Sequence, residues 1–332
     1  MPRAGCFASS HMWSPFRKST SLPQPVRAIF ARAFELLDTR ILKWRGTTAV
    51  LQRRERVFEH NVFEHLDVLD SSPGETPEQP LAIYLATRLG LPLPDSLALD
   101  LDLIRPWLRA RLVHPRVLEG PARAMCRREA FADEARARGG RAPAEGTEPN
   151  TGGSGLLLAV GIGGSRSISF VTTRALDLWG LTFEEVVMIG ADNIRRLVSP
   201  DDLSEVDGAP GVLALVDSSG EVGASAVLVL DRLIPDASNE TGILFSVPGD
   251  DACLLLPVRP GAGAASLAAM VQMTYALAAE RDLPLSERIF WSRRGRVSSL
   301  PMTAVVEGDS RRVHLEASGE TEELLRILGE LE

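Results

Sequence analysis

Lysine is nearly missing from this chain of 332 residues: of 36 basic side chains only Lys18 and Lys43 are lysine. An arginine bias of that size reflects GC-rich coding more than a physical demand for guanidinium groups. Cysteine is scarce as well. Cys6, Cys126 and Cys253 are far apart, odd in number and without a CxxC pair. That pattern excludes a disulfide framework and a cysteine-based zinc site, and a reducing cytoplasm is the simplest compartment. No apolar stretch follows Met1-Pro-Arg-Ala-Gly-Cys, so no secretory signal is legible, and Met12 offers an alternative start. Strongly apolar runs are lacking too. The nearest is the uncharged segment 261–279, rich in alanine and holding Ser266, Gln272 and Thr274. A spanning helix needs about 20 strongly apolar residues, so this run is expected as a buried core helix with no transmembrane role.

What is present suits a globular protein: 45% hydrophobic and 24% charged residues. The net charge of −8 hides an asymmetry, with 22 basic and 18 acidic residues before position 155 and 14 and 26 from there on. An acidic C-terminal part argues against nucleic-acid binding there. The front half carries ten arginines between Arg105 and Arg141, diluted by Glu119, Glu129, Asp133 and Glu134. This patch reads as a solvated helix face, with nucleic-acid contact kept only as a second alternative.

The punctuation divides the chain. Residues 1–21 read as a disordered leader and 22–138 as a mainly helical region. Within it, Val26, Phe30, Phe34, Leu37, Ile41 and Trp44 recur at helical spacing, which predicts one amphipathic helix over 22–45. His60 and His65, five residues apart, would diverge by about 140° on a helix and so would not chelate together. Residues 70–77 read as a loop. The Gly- and Pro-rich 139–154 is a flexible linker, and 155–332 an α+β domain with a mixed or antiparallel sheet and packed helices. There, Thr172 or Thr173 starts a helix that stops at Gly180, and Thr182 with Glu185 forms a capping box for a second helix to Leu197. Strands are expected at 156–160, 168–171, 211–216, 242–247, 252–258, 288–291, 298–306 and 312–316. Helices are expected at 221–233, at 263–280 and from Gly319 on.

This C-terminal stretch resembles the YtpQ-like family of bacterial proteins, built around a domain of unknown function. The likeness lies in Leu178-Trp-Gly-Leu-Thr-Phe-Glu-Glu, Ala191-Asp-Asn-Ile, Ala224-Ser-Ala-Val-Leu and Phe245-Ser-Val-Pro-Gly-Asp-Asp-Ala-Cys-Leu-Leu, over roughly residues 155–300. The family's Pro-x-Arg-Asp turn stands here as Pro248-Gly-Asp-Asp. The resemblance implies a fold and a cytoplasmic bacterial setting, and no activity.

Catalytic signatures are sparse. Gly161-Ile-Gly-Gly-Ser-Arg lacks the GK[ST] of a phosphate-binding loop and reads as a plain turn. No Gly-x-Ser-x-Gly elbow is present, His314 is the C-terminal part's one histidine, and Cys253 reads as a core thiol. The best catalytic candidates are Asp217, Asp250 and Asp251, with Asp231 nearby in sequence, because carboxylates at strand ends can share acid and base roles or hold a hard cation. Asn193, in mid-helix, is expected to bridge elements or to address a ligand. No cofactor or metal is implied. The leading expectation is a cytoplasmic interaction or scaffold module with an unidentified protein partner and no enzymatic role; the alternative is a carboxylate-dependent hydrolase.

Overall fold

The computed structural model describes residues 21–66, 77–118, 127–131, 155–163, 169–217, 221–237, 240–307, 310–316 and 318–331. The leader up to residue 20, most of the loop expected at 70–77 and the linker at 139–154 lie outside the described residues. The chain forms two compact units, the first running to Pro106 and taking in Ser169 as well, the second formed by the rest from Trp107 on.

The first unit opens with α1 (Gln24–Leu36). Its buried face is Val26, Phe30, Ala33 and Phe34, the first half of the stripe read from the sequence. The helix does not continue to Arg45. Asp38 sits at φ 52°, a left-handed conformation that ends a helix, and the chain turns into a three-stranded antiparallel meander. Its strands are β1 (Arg40–Arg45), β2 (Thr48–Arg53) and β3 (Arg56–Asn61). A bulge between Ile41 and Lys43 explains the misreading. One extra residue puts Ile41 and Trp44 on the same face at a spacing of three, which imitates a helical period. The expectation of a mainly helical front is therefore corrected for 40–61. Helices return in α2 (Glu78–Leu89), closed by Gly90 at φ 69°, and in the single turns α3 (Asp95–Ala98) and α4 (Leu101–Ile104).

The second unit starts earlier than the composition suggests. The arginine-rich segment yields β4 (Leu108–Val113), all of it buried, where a solvated helix was expected. β4 pairs antiparallel with β6 (Leu157–Ile162), which also holds β5 (Arg127–Glu129), giving the order β4-β6-β5. The two-residue β7 (Ser169–Phe170) follows. Helix α5 (Thr173–Trp179) has Thr172 as N-cap, accepting the Ala175 amide, and Gly180 as left-handed C-cap at φ 65°. The capping box is complete at α6 (Phe183–Leu197): Thr182 Oγ1 accepts the Glu185 amide and the Glu185 carboxylate accepts the Thr182 amide at 2.7 Å. Such a cap contributes about 1 kcal/mol.

A six-stranded antiparallel sheet runs β13-β12-β10-β11-β9-β8. Its strands are β8 (Ser204–Glu205), β9 (Leu213–Val216), β10 (Ile243–Gly249), β11 (Ala252–Pro257), β12 (Ile289–Arg293) and β13 (Arg296–Leu300). Alternation along the strands feeds two cores. Leu244, Leu254, Leu256 and Ile289 pack with Leu267, Met270 and Val271 of α8 (Ala265–Ala279) and with Leu324 and Leu328 of α9 (Gly319–Leu328). Phe245, Cys253, Leu255 and Phe290 face the other way, toward Ile194 of α6, Ala110 and Leu112 of β4, and the segment from Val222 to Leu233. That segment is a 3-10 helix, Gly223–Val229, followed by one turn, α7 (Leu230–Leu233), so the single helix expected at 221–233 is only partly formed. The strand expected at 298–306 is divided between β13 and the first strand of a separate hairpin, β14 (Met302–Glu307) with β15 (Ser310–Leu315). The uncharged run forms α8, and among the described residues no helix is long and apolar enough to cross a membrane.

Candidate functional site

Three of the carboxylates singled out by sequence gather at one end of the six-stranded sheet. Asp217 follows the last residue of β9, and Asp250 and Asp251 form the two-residue turn between β10 and β11. Main-chain bonds tie these places together: the Asp217 amide donates to the Asp251 carbonyl at 2.8 Å, and the Ala224 amide to the Asp250 carbonyl at 3.0 Å. The side chains have local work. Asp217 Oδ2 accepts the amides of Val222 at 2.7 Å and Gly223 at 3.2 Å, which fixes the entry to the 3-10 segment. Asp251 Oδ1 accepts from Arg281 Nη2 at 2.6 Å, while Arg281 Nη1 donates to the Leu277 carbonyl at 2.6 Å and so joins the turn to the end of α8. Asp231 lies apart, in an exposed ion pair with Arg195 at 2.5 Å, and that hydrogen bond lowers its pKa. With side chains 43% and 69% exposed, the pair contributes at most about 1 kcal/mol.

Two further positive charges come from β4, one of them within electrostatic reach of Asp217 and Asp250. Arg109 and Arg111 are two residues apart, hence on one face of the strand, and only 8% and 4% exposed. Arg111 Nη2 donates to the Gly163 carbonyl at 2.9 Å, and Arg109 Nη1 to the Leu108 carbonyl at 2.9 Å. Burial pushes the Arg111 pKa down to about 10 and neighbouring Arg109 adds to the shift, while Asp217, Glu221 and Asp250 oppose it. Burial lowers Arg109 as well, against Glu221. Both guanidinium groups stay charged at neutral pH. The arrangement is a buried arginine pair within the electrostatic influence of nearby carboxylates. Two of the ten arginines assigned to a solvated face are therefore turned inward.

Asn193 is placed by the edge of the same strand. Among the described residues β4 has a ladder partner on one side only, β6. On the other side Asn193 Nδ2 donates to the Leu108 carbonyl at 3.0 Å, and the Leu112 amide donates to Ser225 Oγ at 3.2 Å. Side chains from α6 and from the 3-10 segment thus occupy the open edge of the ladder. Gly190 makes the approach possible, because a Cβ there would lie 2.4 Å from the Ala110 nitrogen. Of the two roles expected for Asn193, the structure supplies the bridge between elements.

The first unit holds a constellation that the sequence reading missed. His60 and His65 do not diverge: their Nε2 atoms lie 2.8 Å apart, and His65 Nδ1 is 3.2 Å from the Tyr84 hydroxyl. The expected divergence presumed a helix, whereas His60 belongs to β3 and His65 to a single 3-10 turn, Val62–His65. The period-five repeat of Phe-Glu-His, set beside a strand-like run, was the one signal for it. Elsewhere, Cys253 is fully buried and burial pushes its thiol up to about 12, which suits a core residue and no nucleophile. Among the described residues no group of three or more His, Cys, Asp or Glu is placed to hold a metal ion. Compared with protein-family models, curated proteins and solved structures, the chain matches none.

Proposed function

We propose that this chain is an interaction module of the bacterial cytoplasm, holding a protein partner on its α+β unit and turning over no substrate. The observation that carries this reading is the employment of the acids. Asp217 is bonded to two backbone amides and Asp251 to an arginine of the same unit, so these carboxylates serve to close loops. A catalytic carboxylate needs an acceptor directed at a substrate. The likeness to YtpQ-like proteins belongs to the same proposal.

A carboxylate-dependent hydrolase is the second reading. It draws on the gathering of Asp217 and Asp250 at one end of the sheet, where both favour the charge of Arg111. A panel of chromogenic esters, phosphate esters and glycosides, assayed with Mg2+, Mn2+ and Zn2+, separates the two. For the module, wild-type protein gives no turnover above the Asp250→Asn variant. Turnover that vanishes in Asp250→Asn and Asp251→Asn at an unchanged thermal midpoint would establish the hydrolase instead.

A further inference from the structure

β3 ends at Asn61, whose side chain accepts the Phe63 amide at 3.2 Å and starts the turn that folds His65 back beside His60. The two imidazole planes are inclined by 13° and their centroids are 4.9 Å apart. That separation is close to the 2.8 Å between Nε2 atoms plus two ring radii. The rings therefore meet nitrogen to nitrogen, with nearly parallel planes. Such a contact requires one proton and one lone pair, since two lone pairs or two N–H groups repel. A metal ion would need converging lone pairs and two bonds of about 2.0–2.1 Å each, whereas these nitrogens oppose one another at hydrogen-bond distance. The geometry fits a shared proton.

Tyr84 of α2 completes the chain on the far side of His65, its ring edge-on at 5.2 Å between centroids. In one arrangement the Tyr84 hydroxyl donates to His65 Nδ1, and His65 Nε2–H donates to His60. In the other, His60 Nε2–H donates to His65, and His65 Nδ1–H donates to the Tyr84 oxygen. Both keep each ring neutral. Among the described residues, the charged groups acting on the pair are Glu64 on its own turn and Arg88 of α2, whose guanidinium lies 5.5 Å from the Tyr84 ring centre. Opposite His60, strand β2 presents the apolar Ala49.

We propose that His60, His65 and Tyr84 form an acid-sensitive latch joining the β1–β3 meander to α2. His65 is 7% exposed, and burial first, then His60 and Arg88, holds its pKa down to about 4 from an ordinary 6.5. Burial lowers His60 too, against Glu64. The opened form thus takes up protons more readily than the closed one. The latch has its full strength above about pH 6.5 and loses it as the pH falls from there to about 4.

Hydrogen exchange of the full chain, read by mass spectrometry on peptides covering 57–66 and 78–89, tests this. After correction for intrinsic rates, exchange in 78–89 is expected to rise at least about tenfold between pH 7 and pH 4.5. Exchange in α8 stays constant over the same range, which separates the latch from general acid unfolding. His65→Gln raises exchange in 78–89 at pH 7 and abolishes the pH step. Tyr84→Phe, which removes only the hydroxyl and keeps the ring packed, shrinks the step. Equal corrected exchange at both pH values in wild-type protein would overturn the proposal, as would a full step retained in His65→Gln.

Discussion

Gly190→Ala is expected to destabilise the C-terminal unit by about 3 kcal/mol, the upper end for overpacking a tight site. The new Cβ would lie 2.4 Å from the Ala110 nitrogen, 2.9 Å from the Arg109 carbonyl carbon and 3.2 Å from the Ala110 Cα. All three are main-chain atoms, so no side chain can swing away. β4 itself cannot yield cheaply. Its ladder to β6 runs from Leu108↔Ile162 to Val113↔Leu157, and its outer edge is bonded to Asn193 and Ser225. Relief would require α6 to lift, which breaks the Asn193 bond to the Leu108 carbonyl. Gly180→Ala is the natural contrast, since a Cβ there meets nothing within 4 Å and only the left-handed backbone at φ 65° resists. Its cost should be about 1–2 kcal/mol. Urea unfolding of the two variants, followed by circular dichroism, gives the comparison. A Gly190→Ala loss no larger than that of Gly180→Ala would show that α6 is not tightly seated on β4.

Arg111→Met is the second large effect, expected at about 3–5 kcal/mol, the range for removing one partner from a buried charge arrangement. Methionine fills much the same volume, so the loss is mainly electrostatic. The Gly163 carbonyl loses its donor, and Asp217, Glu221 and Asp250 lose a favourable positive charge. Arg109 remains, with Glu221 opposing the burial of its charge. Arg111→Lys should fall between Met and wild type. It keeps the charge and loses the planar fork whose Nη2 reaches the Gly163 carbonyl. The order wild type, Lys, Met in urea midpoints is the expected result. Equal stability of the Met variant would mean that the guanidinium is a passenger in the core.

Local chemistry was legible in the sequence, and long-range chemistry was not. The caps at Thr172, Gly180 and Thr182 could be read because their partners lie within a few residues. The β10–β11 hairpin was equally local, with a two-residue turn between apolar runs. β4 was hidden for the opposite reason. Arg109-Ala-Arg-Leu resembles a charged surface until the acids at 217, 221 and 250, more than a hundred residues away, are brought beside it. Asn193 was recognised as out of place in a helix, but its acceptor, the Leu108 carbonyl, stands 85 residues upstream. In the first unit a bulge at Ile41 and a single turn at Val62–His65 each shifted the period, and a helical template then misplaced Trp44 and His65. The carboxylates were found by position in the chain. Their employment became visible only with the amides of Val222 and Gly223 and the guanidinium of Arg281 in place.

If the acidic cluster holds the fold together, the sign of one stability change shows it. Carboxylates kept for catalysis are commonly a burden on stability, so removing one leaves a protein as stable as before or more so. Asp217 accepts two amide hydrogen bonds at the mouth of the 3-10 segment. Hydrogen bonds to a charged acceptor contribute about 1.5–3 kcal/mol. Urea unfolding of Asp217→Ala at pH 7.5 is therefore expected to show a loss of about 2 kcal/mol with an unchanged slope. A variant equal to wild type or more stable would contradict the structural role and return Asp217 to the catalytic candidates.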